Sequence, residues 1–277
     1  MLDHDRGAAG LKYVYPVVSR RAGGMSIGVN LNPNNACNWR CVYCQVPNLS
    51  FGKAPDLDLD RLRTELRQML HDVVQGDFMQ TRVPEGYRRL NDVALSGNGE
   101  PTSSDRIADV VELIGQELSF VGRAGAVKIV LITNGSMMNK AFVKEALRTL
   151  AELNGEVWFK LDAGTAEGLR RINGSAVTPE QQLGHLAVAA RLCPTWIQTC
   201  MFASNGEIPK ERELASYLAQ LQEVQRRRVT VRGVLLYTLA RPSLQPGGEA
   251  LEALPLAWLE SLGRRIETTG LAVRVSA

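Results

Sequence analysis

Three of the chain's five cysteines stand at Cys37, Cys41 and Cys44 in the stretch CNWRCVYC, while Cys193 and Cys200 lie far downstream. Thiols crowded in this way hold metal or do redox chemistry. A structural zinc site closes with four Cys or His ligands, yet the three histidines are His4, His71 and His185 and there is no second C-x2-C. A disulfide would use only two of the three thiols and needs an oxidising compartment. Three inert core cysteines sit poorly with Asn38, Trp39 and Arg40 between them. An iron–sulfur cubane on three thiolates leaves one iron without a protein ligand. The missing fourth cysteine then makes room for a ligand from outside. The spacing favours this cluster over a zinc centre, which stays the second reading.

Other residues able to do chemistry fall where apolar runs end. Gly97-Asn98-Gly99-Glu100-Pro101 follows DVALS, Thr133-Asn134-Gly135 closes KIVLIT, and Lys160 and Asp162 sit in WFKLDAG. Tyr237 and Arg241 follow the run VTVRGVLLY, and Arg20-Arg21 precede the cysteine loop. Lys160 and Asp162 share one side of an extended chain, as ligand contacts or as an ion pair inside the fold. The arginines suit a carboxylate or phosphate, or a solvated surface.

The elements that must carry these residues alternate. Apolar runs at 25–31, 92–96, 128–133, 156–161, 195–203 and 229–237 are rich in Val, Ile and Leu, as buried parallel strands are. Between them, Leu59, Leu62, Leu66, Met69, Leu70 and Val73 share one helical face. So do Val110, Leu113, Ile114 and Leu118, and again Leu214, Tyr217, Leu218, Leu221 and Val224. Alternating strands and helices predict an α/β fold, a partial (β/α)6 TIM-type barrel, with chemistry at the strand ends. The expected division is an N-terminal extension at 1–24, the barrel at 25–240 and a C-terminal extension at 241–277. That last part holds a Pro- and Gly-rich loop, a helix around Trp258–Thr268 and a short strand, LAVRVS.

The C-x3-C-x2-C spacing with Tyr43 before the last cysteine resembles the radical S-adenosylmethionine superfamily. The resemblance implies one [4Fe-4S] cluster whose open iron binds the amino and carboxylate groups of S-adenosylmethionine. Reductive cleavage would release a 5′-deoxyadenosyl radical that abstracts hydrogen from a substrate. Carried onto this chain, it implies that Tyr43 lies against the adenine and that Gly97, Asn98, Gly99 and Glu100 receive the ammonium. Thr133 and Asn134 would meet the ribose. Lys160 would pair with the methionyl carboxylate and Asp162 with an ammonium or hydroxyl. The span from Tyr15 to Ser243, with YPVVSRRAGG, SGNGEPT, FKLDAG and LYTLARPS, is similar to a wyosine-synthase-like subgroup. The wyosine enzymes carry further cysteines for a second cluster, and no cysteine here precedes Cys37. A single-cluster enzyme is therefore expected. Cys193 and Cys200 read as buried small apolar groups.

The net charge of +3 is too slight to select nucleic acid. The substrate is open: a modified nucleoside or RNA, or a small metabolite, held by Arg20, Arg21, Tyr237 and Arg241. The alternatives are a glycyl-radical activase for a partner protein and a non-catalytic zinc or iron module. The resemblance also implies a reductant such as flavodoxin or ferredoxin. No apolar run approaches a membrane span, and the charged start MLDHDRGAAG has no leader-like apolar stretch. With an odd number of clustered cysteines, the expected place is a reducing cytoplasm.

Overall fold

A computed structural model of the chain describes residues 10–19 and 23–277, so Arg20 and Arg21 lie outside the described residues. Eight strands form one sheet in chain order: β1 (Val14–Ser19), β2 (Gly24–Val29), β3 (Leu90–Leu95), β4 (Lys128–Thr133), β5 (Glu156–Lys160), β6 (Thr195–Cys200), β7 (Val234–Tyr237) and β8 (Val273–Ser276). β1 runs antiparallel to β2, and every later neighbour is parallel. β1 and β8 are the two edges, so the sheet is an open partial barrel. The helices α1 (Leu59–Val74), α2 (Ile107–Phe120), α3 (Ala141–Glu152), α4 (Ala166–Asn173), α5 (Pro179–Leu192), α6 (Glu211–Arg226) and α7 (Leu256–Glu267) fill the crossovers.

Strand alternation sorts the side chains into two cores. Ile27, Val29, Val93, Leu95, Ile129, Leu131, Val157, Phe159 and Ile197 pack with Leu62, Leu66, Ile114, Leu147 and Tyr217 from the helices. The intervening positions face the concave side, where Ala94, Val130, Trp158 and Trp196 make a separate cluster with Ile132 and Leu235. Two apolar faces explain the nearly continuous apolar strands. Helix starts follow from local chemistry: Asp58 accepts from Arg61 N at the head of α1, and Thr178 with Gln181 forms a capping box before α5.

All six expected parallel strands are present, and β8 adds a seventh, paired with β7. β7 begins at Val234 instead of near 229. The chain leaves α6 through Val229 N to Val224 O, with Arg228 at φ 54°, so residues just after the helix are consumed in its exit. β1 is the strand that alternation alone did not reveal. Its Tyr15 ring lies over Gly28, where an added Cβ would come within 2.2 Å of the ring.

Candidate functional site

The cysteine loop leaves the end of β2 and is held from three sides. Asn32 Nδ2 donates to Ala36 O at 2.9 Å, closing the turn before Cys37. The amides of Arg40 and Val42 donate to Asn173 O and Ile172 O, both at 2.8 Å, at the end of α4. Asn38 Nδ2 donates to Ser136 Oγ at 2.8 Å and Asn38 Oδ1 accepts from Asn134 Nδ2 at 2.9 Å, tying the loop to the end of β4. From the far side Ser243 Oγ donates to Val42 O at 2.6 Å and Gln245 Nε2 to Val46 O at 2.7 Å. Asn38, Asn173, Ser243 and Gln245 were not singled out from sequence. Their type suits turn and loop bonding, but their partners are distant in the chain.

Cys37, Cys41 and Cys44 are free, half-buried thiols. Burial pushes Cys37 up to about 11 and Cys41 up to about 12, the latter against the pull of the Lys160 ammonium. Both are therefore protonated thiols until a metal displaces the proton. All three thiols line one cavity, and three thiolates, each on its own iron, are the protein ligands that a cubane with one open iron takes. The donor set thus fits a cluster. Asn173 Nδ2 also donates to Cys41 Sγ at 3.4 Å.

The glycines of the second loop serve the first. A Cβ on Gly99 would meet Ala36 O at 2.0 Å, and one on Gly97 would meet Asn30 Oδ1 at 2.4 Å. Asn98 N donates to that same Asn30 oxygen at 3.0 Å, and Asn98 Nδ2 to Asn35 Oδ1 at 2.6 Å. Close approach is required, but to the cysteine loop's own backbone and its Asn side chains. Glu100 is 2% exposed and accepts from Thr102 N, Thr102 Oγ1, Thr133 Oγ1 and Asn134 N at 2.6–3.1 Å. Burial raises its pKa, and these four bonds oppose the rise. Thr133 Oγ1 also accepts from Gly135 N at 3.0 Å. Its hydroxyl is therefore committed within the protein rather than offered to a ribose.

A third group lies across the concave face. The Tyr43 hydroxyl donates to Asp162 Oδ2 at 2.5 Å, and Lys160 Nζ donates to the hydroxyls of Tyr43 at 3.2 Å and Tyr237 at 3.4 Å. Burial and the neighbouring Asp162 hold Tyr43 far above the usual phenol value. Burial would depress the Lys160 ammonium, but Tyr237 and Asp162 outweigh it and raise its pKa, so it stays charged. Asp162 also accepts from Asn173 Nδ2 at 2.8 Å and Cys200 N at 2.9 Å. Its three partners are all protein groups, and Lys160 and Asp162, expected as ligand contacts or else as an ion pair, are linked through the Tyr43 hydroxyl.

These groups converge on a cavity of about 300 Å³. It is lined by Cys37, Cys41, Cys44, Tyr43, Gly97, Asn98, Gly99, Glu100, Asn134, Lys160, Tyr237 and Arg241, each named in the sequence. Thr133 and Asp162 stand behind this lining. The wall also contains Tyr15, Asp92, Trp158 and Gln198, which sequence reasoning passed over. A glutamine within TWIQTC was the available signal, since a polar residue inside an apolar strand needs a reason. Among the described residues no helix is long and apolar enough to cross a membrane.

The chain is similar to several known proteins. It is 27% identical over 161 residues to "GTPase Obg" of Brachyspira hyodysenteriae, covering 57% of this chain and 20% of that protein. It is 26% identical over 200 residues to "UPF0026 protein slr1464" of Synechocystis, covering 67% of this chain and 66% of that one. It thus spans a fifth of the first relative's length and just under two thirds of the second's. Among solved structures it resembles TYW1 with a lysine-pyruvate adduct bound, with TM-score 0.55 and 15% identity over 89% of this chain and 74% of that one. It also resembles a radical SAM methyltransferase from Sphaerobacter thermophilus, with TM-score 0.58 and 11% identity over 95% and 68%. At such identities these two speak for the partial-barrel fold. The model of the radical SAM superfamily matches residues 31–218, from the approach to the cysteine loop through most of the sheet. That match spans more than half the chain, so the protein belongs to the radical SAM superfamily, with the iron–sulfur cluster, S-adenosylmethionine and enzyme catalysis that the family implies.

Proposed function

We propose that this protein is a single-cluster radical enzyme that uses S-adenosylmethionine to remove hydrogen from a small substrate held in the concave cavity. The observation that carries the reading is the donor set: Cys37, Cys41 and Cys44 line one cavity with Glu100, Asn134 and Lys160. When bound, a [4Fe-4S] cluster supplies the electron that cleaves the sulfonium to a 5′-deoxyadenosyl radical. The chain's own residues position and exclude. Lys160, charged and half-buried, takes the methionyl carboxylate. Asn134 and the backbone of Gly97-Asn98-Gly99 face the cofactor, and Glu100 orients Asn134 through its amide. Tyr43 covers the adenine while its hydroxyl stays on Asp162. Thr133 and Asp162 support these groups from behind the lining. Tyr237 and Arg241 border the remaining space and contact substrate. Flavodoxin or ferredoxin supplies the electron, in a reducing cytoplasm that suits five free cysteines.

Anaerobic reconstitution tests the reading. The expected product is a brown protein with about four iron per chain that releases 5′-deoxyadenosine when reduced with S-adenosylmethionine. Cys41→Ala should lose both the colour and the cleavage while keeping its far-ultraviolet circular dichroism. A colourless zinc protein that leaves S-adenosylmethionine intact favours the metal-module reading instead.

A further inference from the structure

Gln198 sits mid-strand in β6 with 1% of its surface exposed. Neither its Oε1 nor its Nε2 has a hydrogen-bond partner in the structure, yet the residue lines the concave cavity. Strand pairing sets it beside Lys160 on β5 and Leu235 on β7. One step down the same strands, Trp158 pairs with Trp196, and both belong to the apolar cluster with Ala94 and Val130. The guanidinium of Arg274 stacks on Trp196 at 4.4 Å. The level beneath Gln198 is thus an aromatic floor that does not satisfy the amide. The contrast with Gln182 is instructive. It is equally buried and its Oε1 is likewise unmet, but its Nε2 donates to Lys160 O at 3.0 Å and it lies outside the cavity lining, whereas Gln198 has both atoms unmet and lines the cavity.

A buried amide with donor and acceptor both unmet is unfavourable unless something in the cavity meets it. Its complement is a group with an acceptor and a donor on neighbouring atoms. The floor beneath adds a requirement for a flat apolar body. We propose that Gln198 and Trp158 form the substrate-recognition subsite, taking a neutral planar molecule that bears a carboxamide or lactam edge. This rests on the radical-enzyme reading above, and narrows its substrate from any small molecule to one carrying that edge. The amide would fix the substrate in plane on the floor, with the hydrogen to be removed directed towards the cysteine loop.

The test uses the reconstituted, S-adenosylmethionine-loaded protein and two isosteric neutral probes, nicotinamide and 3-acetylpyridine, followed by calorimetry. They differ in the amide donor alone. The wild-type protein should prefer nicotinamide by about tenfold, the equivalent of about 1.4 kcal/mol. Gln198→Met should bind the two alike, and its melting temperature should be no lower than the wild type's, because an unmet amide is gone. A wild-type protein that holds its cluster and releases 5′-deoxyadenosine, yet shows no preference, overturns this inference alone. A preference that survives in Gln198→Met also overturns it. A loss of S-adenosylmethionine affinity in that variant as large as the loss for nicotinamide assigns the amide to the cofactor and overturns it too. A wild-type protein without cluster or cleavage removes the reading beneath it.

Discussion

On the proposed reading, single groups around the cysteines would hold the cluster or tune it. Asn173 would do the second, since its amide reaches both Cys41 Sγ and Asp162. A hydrogen bond to a ligand sulfur stabilises the reduced, more negative cluster. Asn173→Leu should therefore move the midpoint potential to more negative values, by tens of millivolts for a bond of about 1 kcal/mol. Redox titration followed by electron paramagnetic resonance measures this, and an unchanged potential refutes it. Glu100 makes a different case. Its carboxylate accepts four bonds while buried. Glu100→Gln turns an amino group towards donors and should lower stability by about 1–3 kcal/mol. Chemical denaturation reads that loss, and calorimetry should find weaker S-adenosylmethionine binding as Asn134 loses its anchor.

Elements matter through how closely they approach. The end of β3 can lie against the cysteine loop because Gly99 has no Cβ to meet Ala36 O at 2.0 Å. Gly99→Ala should displace the loop, and the iron retained after reconstitution should drop to under about half of the wild-type four. Full iron content would show that the loop yields without losing the site. At the other edge, Glu65 of α1 accepts from Lys12 N at 3.0 Å, Tyr13 N at 2.7 Å and Arg61 Nε at 2.8 Å, leading the chain into β1. Burial alone would raise the Glu65 pKa, but these partners lower it overall. A carboxylate depressed in the folded state stabilises fully above its unfolded value of about 4.3. The contribution fades as pH falls through the lower folded value. The stability gap between wild type and Glu65→Gln should thus be constant near neutrality and close below about pH 4. A gap that persists unchanged into acid counts against this anchor.

For the whole molecule, the open sheet has consequences at both edges. β8 covers the side of β7, with Val234 opposite Val273 and Tyr237 opposite Ser276. It also brings Arg274 onto Trp196 beneath the cavity. Removing residues 271–277 should bare the edge of β7, a template for pairing between copies. The expected outcome is a lower melting temperature and self-association visible by light scattering. A monomer of unchanged stability would mean that β8 is dispensable. The opposite edge brings Tyr15 across Gly28 to Ser96 Oγ, 3.0 Å away, so β1 also walls the cavity. The site is therefore a property of the full sheet width as well as of the cysteine loop.

Local chemistry carried much of this in the sequence. Three thiols at one spacing point to metal chemistry without help from the fold, because all three belong to one short loop. Apolar runs of Val, Ile and Leu declared parallel strands, and a 3.6-residue period declared α1, α2 and α6, because both signals repeat along the chain. Residues at strand ends were recognised as neighbours because a parallel barrel collects those ends on one side. What each side chain touches was settled only by tertiary contact. Thr133 and Asp162 looked like ligand contacts, and folding turned them to Glu100 and Tyr43. The glycines at 97 and 99 looked like room for a ligand, and they make room for Asn30 and Ala36. Gln198 went unremarked in its apolar strand, and only pairing set it beside two tryptophans. Sequence records which groups a segment owns and how often they recur. Partners brought together across scores of residues depend on sheet register and helix packing, which no single segment contains.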